Sequence, residues 1–157
     1  MFDVKINFTG KVRWVKDGHW TPDPETSSYD EFVSRKSIHI LLTYTALHEI
    51  DVMAADISND YLQAPTFEKH FIICDVDLHG IENAGKQAMF VRAFYGGKLA
   101  VRDFWMHLRA CTDTLGFTSW FADPDLWMRM SKSGDVTAYY EYVLLYIDDC
   151  LVISDNA

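Results

Sequence analysis

Residues 139–154 read Tyr-Tyr-Glu-Tyr-Val-Leu-Leu-Tyr-Ile-Asp-Asp-Cys-Leu-Val-Ile-Ser, two apolar runs parted by one acidic pair. Short runs this rich in β-branched and aromatic residues read as strands that must be buried. Adjacent aspartates between them are tolerable only at a turn that reaches solvent, a partner or a metal. The segment therefore predicts a β-hairpin with Asp148 and Asp149 at its tip. Carboxylates fixed on a rigid hairpin suit Mg2+, which prefers oxygen ligands and phosphate co-ligands, with Mn2+ as the related alternative. A Tyr-x-Asp-Asp string standing alone is no more than a turn, because Asp tolerates unusual backbone angles.

A second strand end changes the weight of that motif. In Asp51-Val-Met-Ala-Ala-Asp-Ile-Ser-Asn-Asp-Tyr-Leu-Gln-Ala64 a short apolar run leads into polar residues at Asp56. By itself Asp56 reads as a helix N-cap or a turn residue. Set beside the hairpin it could share a metal with the Asp pair. Two-metal nucleotidyl transfer, with ions about 3.5–4 Å apart, needs carboxylates that bridge both.

The 157 residues are 49% apolar and 15% aromatic, enough for one domain with a real core. A net charge of −9 runs against phosphate binding, but Lys5, Lys11, Arg13 and Lys16 fall together with no acid between them. Cys74, Cys111 and Cys150 are odd in number and lack zinc spacing, so they read as reduced and structural. The six histidines, at 19, 39, 48, 70, 79 and 107, form no nucleophile or ligand pattern, which leaves a hydrolase without support. With no apolar leader and no long apolar span, the chain is expected to be intracellular, in a cytoplasmic particle or the nucleus, with no membrane partner.

Residues 11–15 read as a strand with Lys11 and Arg13 on one face. Ser28 with Glu31 suggests a capping box opening a helix to about Glu49, with Ile38, Leu41, Leu42 and Ala46 on one side. Strands are expected at 51–55, 70–76, 88–93 and 126–130. A helix over 98–115, with Val101, Phe104, Trp105, Leu108, Cys111 and Leu115 inward, would be stopped by Gly116. Asp75-Val-Asp77 and Asp123-Pro-Asp125 read as turns rather than calcium loops. The sum is an α+β fold, an antiparallel sheet backed by helices.

Several ordered blocks are similar to the reverse transcriptase of copia-type LTR retrotransposons, from about Lys11 to Ser154. Lys11-Val-Arg-Trp-Val-Lys-Asp-Gly-His19 resembles the family's K-A-R-x-V-A-x-G, and Ala55 to Ala64 resembles its D-I/V-x-x-A-Y/F-L block. Phe94-Tyr-Gly-Gly-Lys98 with Arg102 and Trp105 resembles L-Y-G-L-K-x-x-x-R-x-W. Ala122-Asp-Pro-Asp-Leu-Trp127 and Tyr146 to Asp149 complete the set.

The resemblance implies the fingers-palm portion of a right-handed polymerase, a single partial domain over residues 1–157. Residues to about 50 would be fingers-like and 51–157 palm-like, with thumb and RNase H absent. It implies an RNA-directed DNA polymerase that uses Mg2+, an RNA or DNA template-primer and dNTPs, within a polyprotein that also carries integrase and RNase H. Asp56 and Asp148 would ligate both metals, with Asp149 a nearby catalytic carboxylate. Tyr61 would select against a 2′-hydroxyl, although a core aromatic is its plainer reading. Lys11 and Arg13 would contact the triphosphate, where a guanidinium fork binds phosphate well. Lys98 and Arg102 would line the nucleotide and template channel, or simply occupy the wet face of an amphipathic helix.

Two departures bear on activity. Gly97 stands where the family has Leu, and Asp60 stands where it has a small residue, adding a carboxylate near the expected triphosphate. The alternative to a working polymerase is a retrotransposon-derived fragment that folds without catalysing.

Overall fold

The computed structural model describes residues 2–4, 10–12, 14–21, 23, 32–132 and 138–155. The chain divides into two compact units, one of Met1–Ser28 with Tyr61–Phe104 and one of Tyr29–Asp60 with Trp105–Ala157. This division does not coincide with a single cut near residue 50. Each unit takes two separate stretches of chain.

The second unit holds a five-stranded antiparallel sheet and is α+β. Its strands are β3 (Asp51–Asp56), β6 (Thr118–Trp120), β7 (Asp123–Lys132), β8 (Ala138–Tyr146) and β9 (Asp149–Ser154), in the spatial order β3-β9-β8-β7-β6. Period-two alternation sorts their side chains onto two faces. On one face Leu126, Leu144 and Ile153 form a cluster with Val33 and with Leu41 of helix α1 (Arg35–His48). On the other, Trp127 and Leu145 pack with Phe117 and with Leu108 of helix α4 (Ala100–Thr114). The 139–154 segment is thus a hairpin between two helix-covered layers, as its apolar character requires.

Helix α1 starts later than the Ser28–Glu31 pattern suggests. Ser28 and Glu31 lie outside the described residues, and residues 32–34 are not helical. Ser34 is the N-cap, its hydroxyl accepting from the Ser37 amide at 3.1 Å. Asp123 fastens this end: its carboxylate accepts from the Ser34 amide at 2.9 Å and from the Ser37 hydroxyl. Burial acts to raise the Asp123 pKa, but the hydrogen bonds from Ser37 and Ser34 prevail and hold it below the ordinary value. The inward face carries Leu41 and Thr45, with Ile38 against the core; Leu42 and Ala46, expected inside, are exposed.

Helix α4 ends as Gly116 predicts. Gly116 has φ +83, its amide bonds the Asp113 carbonyl at 2.8 Å, and the Phe117 amide reaches back to Thr112 at 3.3 Å. This is a Schellman closure, which glycine makes without a Cβ penalty. Its buried residues include Asp103 and Thr112 beside Phe104, whereas Cys111 and Leu115 are exposed, contrary to the simple apolar stripe.

Asp123-Pro-Asp125 is strand rather than turn. Pro124 lacks an amide proton, and it sits where the β6–β7 register shifts between Ser119 and Trp120. Its carbonyl accepts from Ser119 Oγ and Arg109 Nη1, both at 2.7 Å. Asp75 does cap a short turn of helix, α3 (Val76–His79).

The first unit holds two antiparallel ribbons: β1 (Phe2–Val4) with β2 (Gly10–Val12), and β4 (Phe71–Ile73) with β5 (Gln87–Met89). Backbone packs directly on backbone here. The Lys16 amide bonds the Tyr95 carbonyl at 2.7 Å, and a Cβ on Gly96, at φ +81, would lie 2.0 Å from the Lys16 carbonyl oxygen. Helix α2 (Asp60–Gln63) is a single turn where the sequence passes from the second unit to the first. No helix among the described residues is long and apolar enough to cross a membrane.

Candidate functional site

Antiparallel register brings the acidic residues together. In the β3–β9 ladder Asp56 is paired directly with Asp149, and in the β8–β9 hairpin Tyr146 is paired with Asp149. Directly paired residues project to one face. Tyr146, Asp149 and Asp56 therefore stand in a row across three strands, on the face that α1 covers farther along. The ladder continues past the strand end, since the Ile57 amide donates to the Asp148 carbonyl at 2.7 Å. Asp148 thus occupies the turn, its backbone held against the chain just beyond Asp56.

Pairing of Tyr146 with Asp149 leaves Ile147 and Asp148 as a two-residue turn. Ile147 has φ +55, a left-handed conformation that is costly for a β-branched residue. Such a conformation costs on the order of 1–3 kcal/mol and persists only where flanking structure over-determines it. Here strands on both sides fix it, so the tip is rigid and holds its carboxylates in a set position.

Beside the acidic row opens a cavity of about 580 Å³. Asp56, Asp149 and Tyr146 form its polar rim, and Ala54, Leu144 and Leu151 its apolar floor. Phe32 packs its ring 5.3 Å from that of Tyr146. The small residue at 54, which shares the face of Asp56 and Leu151, leaves this space open, because a larger side chain there would occupy it.

The donor set is oxygen only, as Mg2+ prefers. Asp56 and Asp149 are exposed like charges in direct opposition, an arrangement that destabilises a bare strand pair. Among the described residues no Lys or Arg forms an ion pair with Asp56, Asp148 or Asp149. Nor do any three His, Cys, Asp or Glu among them converge as a complete metal cage. Mg2+ does not require one, since it commonly takes one or two carboxylates and fills its octahedron with water and substrate phosphate. The chemistry of the row therefore fits such a cation, with Asp56 and Asp149 opposed and Asp148 adjacent.

The remaining described candidates, Lys11, Tyr61, Lys98 and Arg102, belong to the first unit. Tyr61 packs against Tyr95 at 5.0 Å and edge-on against Phe104 at 6.0 Å, as a half-buried member of an aromatic cluster. Lys98 donates to the Thr21 carbonyl and to Asp23 Oδ1, both at 2.7 Å, and the ammonium holds the Asp23 carboxyl below its ordinary pKa. Lys11 lies on β2, Arg102 is half-buried on α4, and Arg13 lies outside the described residues. Asp60 is buried at the start of α2, after Asn59 with φ +56. Gly97 is closely hemmed, a Cβ there falling 3.0 Å from the Phe94 carbonyl oxygen and 3.3 Å from Glu68 Oε2. A leucine at 97 would press on the carboxylate that binds Lys16 Nζ at 2.9 Å and His70 Nε2 at 3.1 Å.

A buried polar cluster went unseen in the sequence. Asp125, 1% exposed, accepts from Trp105 Nε1 at 2.9 Å and pairs with Arg109 Nη1 at 3.1 Å. The Arg109 guanidinium lies 4.4 Å from the Trp105 ring centroid and 5.0 Å from that of Trp127. Burial raises the Asp125 pKa despite those partners. The available signal was the spacing of Trp105 and Arg109, one helical turn apart, opposite an Asp and a Trp two apart on a strand.

No protein-family model, no curated protein and no solved structure matches this chain.

Proposed function

We propose that this chain is the fingers-palm part of a copia-type reverse transcriptase, joining a dNTP to the 3′-hydroxyl of a primer paired to RNA or DNA. The observation that carries the reading is the pairing of Asp56 with Asp149 beside a strained, rigid Ile147–Asp148 turn. It sets carboxylates from two sequence-distant strands at one edge, next to a cavity. The ordered family blocks of the sequence support the same reading.

In this scheme Asp56 and the Asp148–Asp149 pair hold divalent cations. When bound, these would favour ionisation of the primer hydroxyl and neutralise charge on the departing pyrophosphate. The protein's own part is placement. Ladder pairing fixes the carboxylates before substrate arrives, so little reorganisation is needed at reaction. The partners follow from the reading: template-primer, dNTPs and neighbouring polyprotein segments.

Primer extension on an RNA template with Mg2+ and dNTPs tests it, comparing the unaltered chain with Asp56→Asn, Asp148→Asn and Asp149→Asn. Extension by the unaltered chain and its loss in Asp56→Asn are expected. Equal extension by both would refute the carboxylate assignment. Absence of extension from every form, each unfolding cooperatively, would favour the non-catalytic fragment. The two hairpin variants decide which aspartate joins Asp56.

A further inference from the structure

We infer that the first unit carries a second binding site, independent of the acidic row, for a small organic cation with an ammonium head group. The site is a half-open cavity of about 330 Å³ between the Trp14–Thr21 segment and the β4–β5 ribbon. That volume lies near the lower limit for small-molecule pockets, which are typically lined by aromatic groups and a few placed polar ones.

Its walls are aromatic and not parallel. Trp14 and Phe94 meet edge to face, with centroids 6.1 Å apart and planes at 72°, and Phe90 lies 4.9 Å from Phe94 at 40°. Phe71 contributes a further ring. These rings pack on one another, and Trp14 also lies 5.8 Å from the His79 ring, so a cation would be drawn to the faces left open toward the cavity, that of Trp most strongly. Trp14 is 51% exposed, a large indole left at the mouth where a ligand would cover it.

The charge of the lining selects the sign of the guest. Asp17 and Asp75 are carboxylates at the rim. Asp17 lies 2.7 Å from the His19 imidazole. Asp75 spends one oxygen on the Leu78 amide at 3.0 Å and keeps its charge facing solvent. Lys16 is the only Lys or Arg among the described lining residues, and Glu68 neutralises it at 2.9 Å; the other basic groups of the lining are His70, 3.1 Å from the same Glu68 oxygen, and His79 beside Trp14. A phosphate or carboxylate guest would meet repulsion, whereas an ammonium would gain both the rings and the acids.

Choline is a suitable probe, with 3,3-dimethylbutan-1-ol as its neutral counterpart of like shape. The readout is the indole N–H resonances of the five tryptophans during titration, Trp14 being assigned from Trp14→Phe. Choline is expected to shift the Trp14 resonance saturably and leave those of Trp105, Trp120 and Trp127 nearly still. Asp75→Asn is expected to weaken choline about tenfold, the equivalent of about 1.4 kcal/mol. Trp14→Phe keeps a ring face and should bind choline more weakly by isothermal titration calorimetry, while retaining the fold by circular dichroism. Equal affinity for the neutral alcohol, an unchanged dissociation constant in Asp75→Asn, or no saturable shift at Trp14 would each overturn the proposal.

Discussion

Replacing Asp149 by Asn removes one of two like charges set directly opposite each other, so the variant is expected to be more stable than the parent when no divalent cation is present. Directly paired strand residues have Cβ atoms about 4.5–5.5 Å apart. Two unit charges about 6 Å apart in a water-like medium repel by about 0.7 kcal/mol, and the exposure of both carboxylates makes that medium appropriate. In a chain of this size about 0.7 kcal/mol corresponds to roughly 2 °C in Tm. Thermal unfolding at low ionic strength with a chelator measures it. The difference should shrink in molar salt, where the Debye length is only about 3 Å. It should also shrink or reverse with Mg2+, which binds the native parent and raises its apparent stability by mass action. A variant less stable than the parent in chelator would refute the reasoning, because it would mean that Asp149 is held by a favourable partner rather than repelled by Asp56. So would an identical Mg2+ response in the two proteins.

Asp125→Asn should change the pH dependence of stability. Burial places the folded-state pKa of Asp125 above its ordinary 3.8, so this group's stabilisation is complete below that value and is lost as pH rises through the raised one. The stability difference, variant minus parent, should therefore move in the variant's favour across that window in denaturant titrations; a flat difference would contradict it. Arg129→Ala strips Glu141 of guanidinium contacts at 2.6 and 2.9 Å, leaving Ser154, Tyr139 and Ser131. Because Arg129 is 41% exposed, the expected loss is about 2 kcal/mol by urea denaturation, below that for a fully buried pair. Burial alone would raise the Glu141 pKa, but Arg129 and Ser154 hold it below 4.5, so the parent's advantage should fade as pH falls through the lowered value. Gly96→Ala should cost about 2 kcal/mol or more, since its Cβ meets backbone at 2.0 Å, whereas Gly85→Ala, at φ +74 in open space, should cost about 1 kcal/mol. Equal losses at the two glycines would show that backbone packing at Gly96 contributes nothing.

The parts of the fold written in local sequence were the parts that could be read. Gly116 stops α4 because a left-handed residue is required there and only glycine takes it freely, a signal contained in one residue. The 139–154 hairpin is likewise local, its strands and turn all within one segment. The start of α1 was not local. Ser34 and Ser37 form an ordinary cap pattern, and Asp123, eighty-nine positions from Ser34, makes it the strong one. Asp123-Pro-Asp125 misled for the same reason. Its composition is that of a turn, and only the register shift in β6–β7 and the helix side chains Trp105 and Arg109 make it a buried strand.

The candidate site shows the same limit at a finer scale. That Asp56 belongs near the hairpin aspartates was legible from two apolar runs, each ending in acid. Which hairpin aspartate faces it was not, because a strand alternates sides at every residue and a one-residue change in where the turn closes exchanges the two. Closing the turn on Tyr146 and Asp149 sends Asp149 to the face of Asp56 and puts Asp148 in the turn. A different closure could have spared Ile147 its left-handed backbone, but it would shift β9 by a residue and carry Leu151 and Ile153 off the α1 face. Full burial of Ile153 is worth about 1.5–3 kcal/mol, and the partly buried Leu151 adds to it, which exceeds or matches the strain of one unfavourable turn residue. The core thereby sets the register, and the register positions the carboxylates.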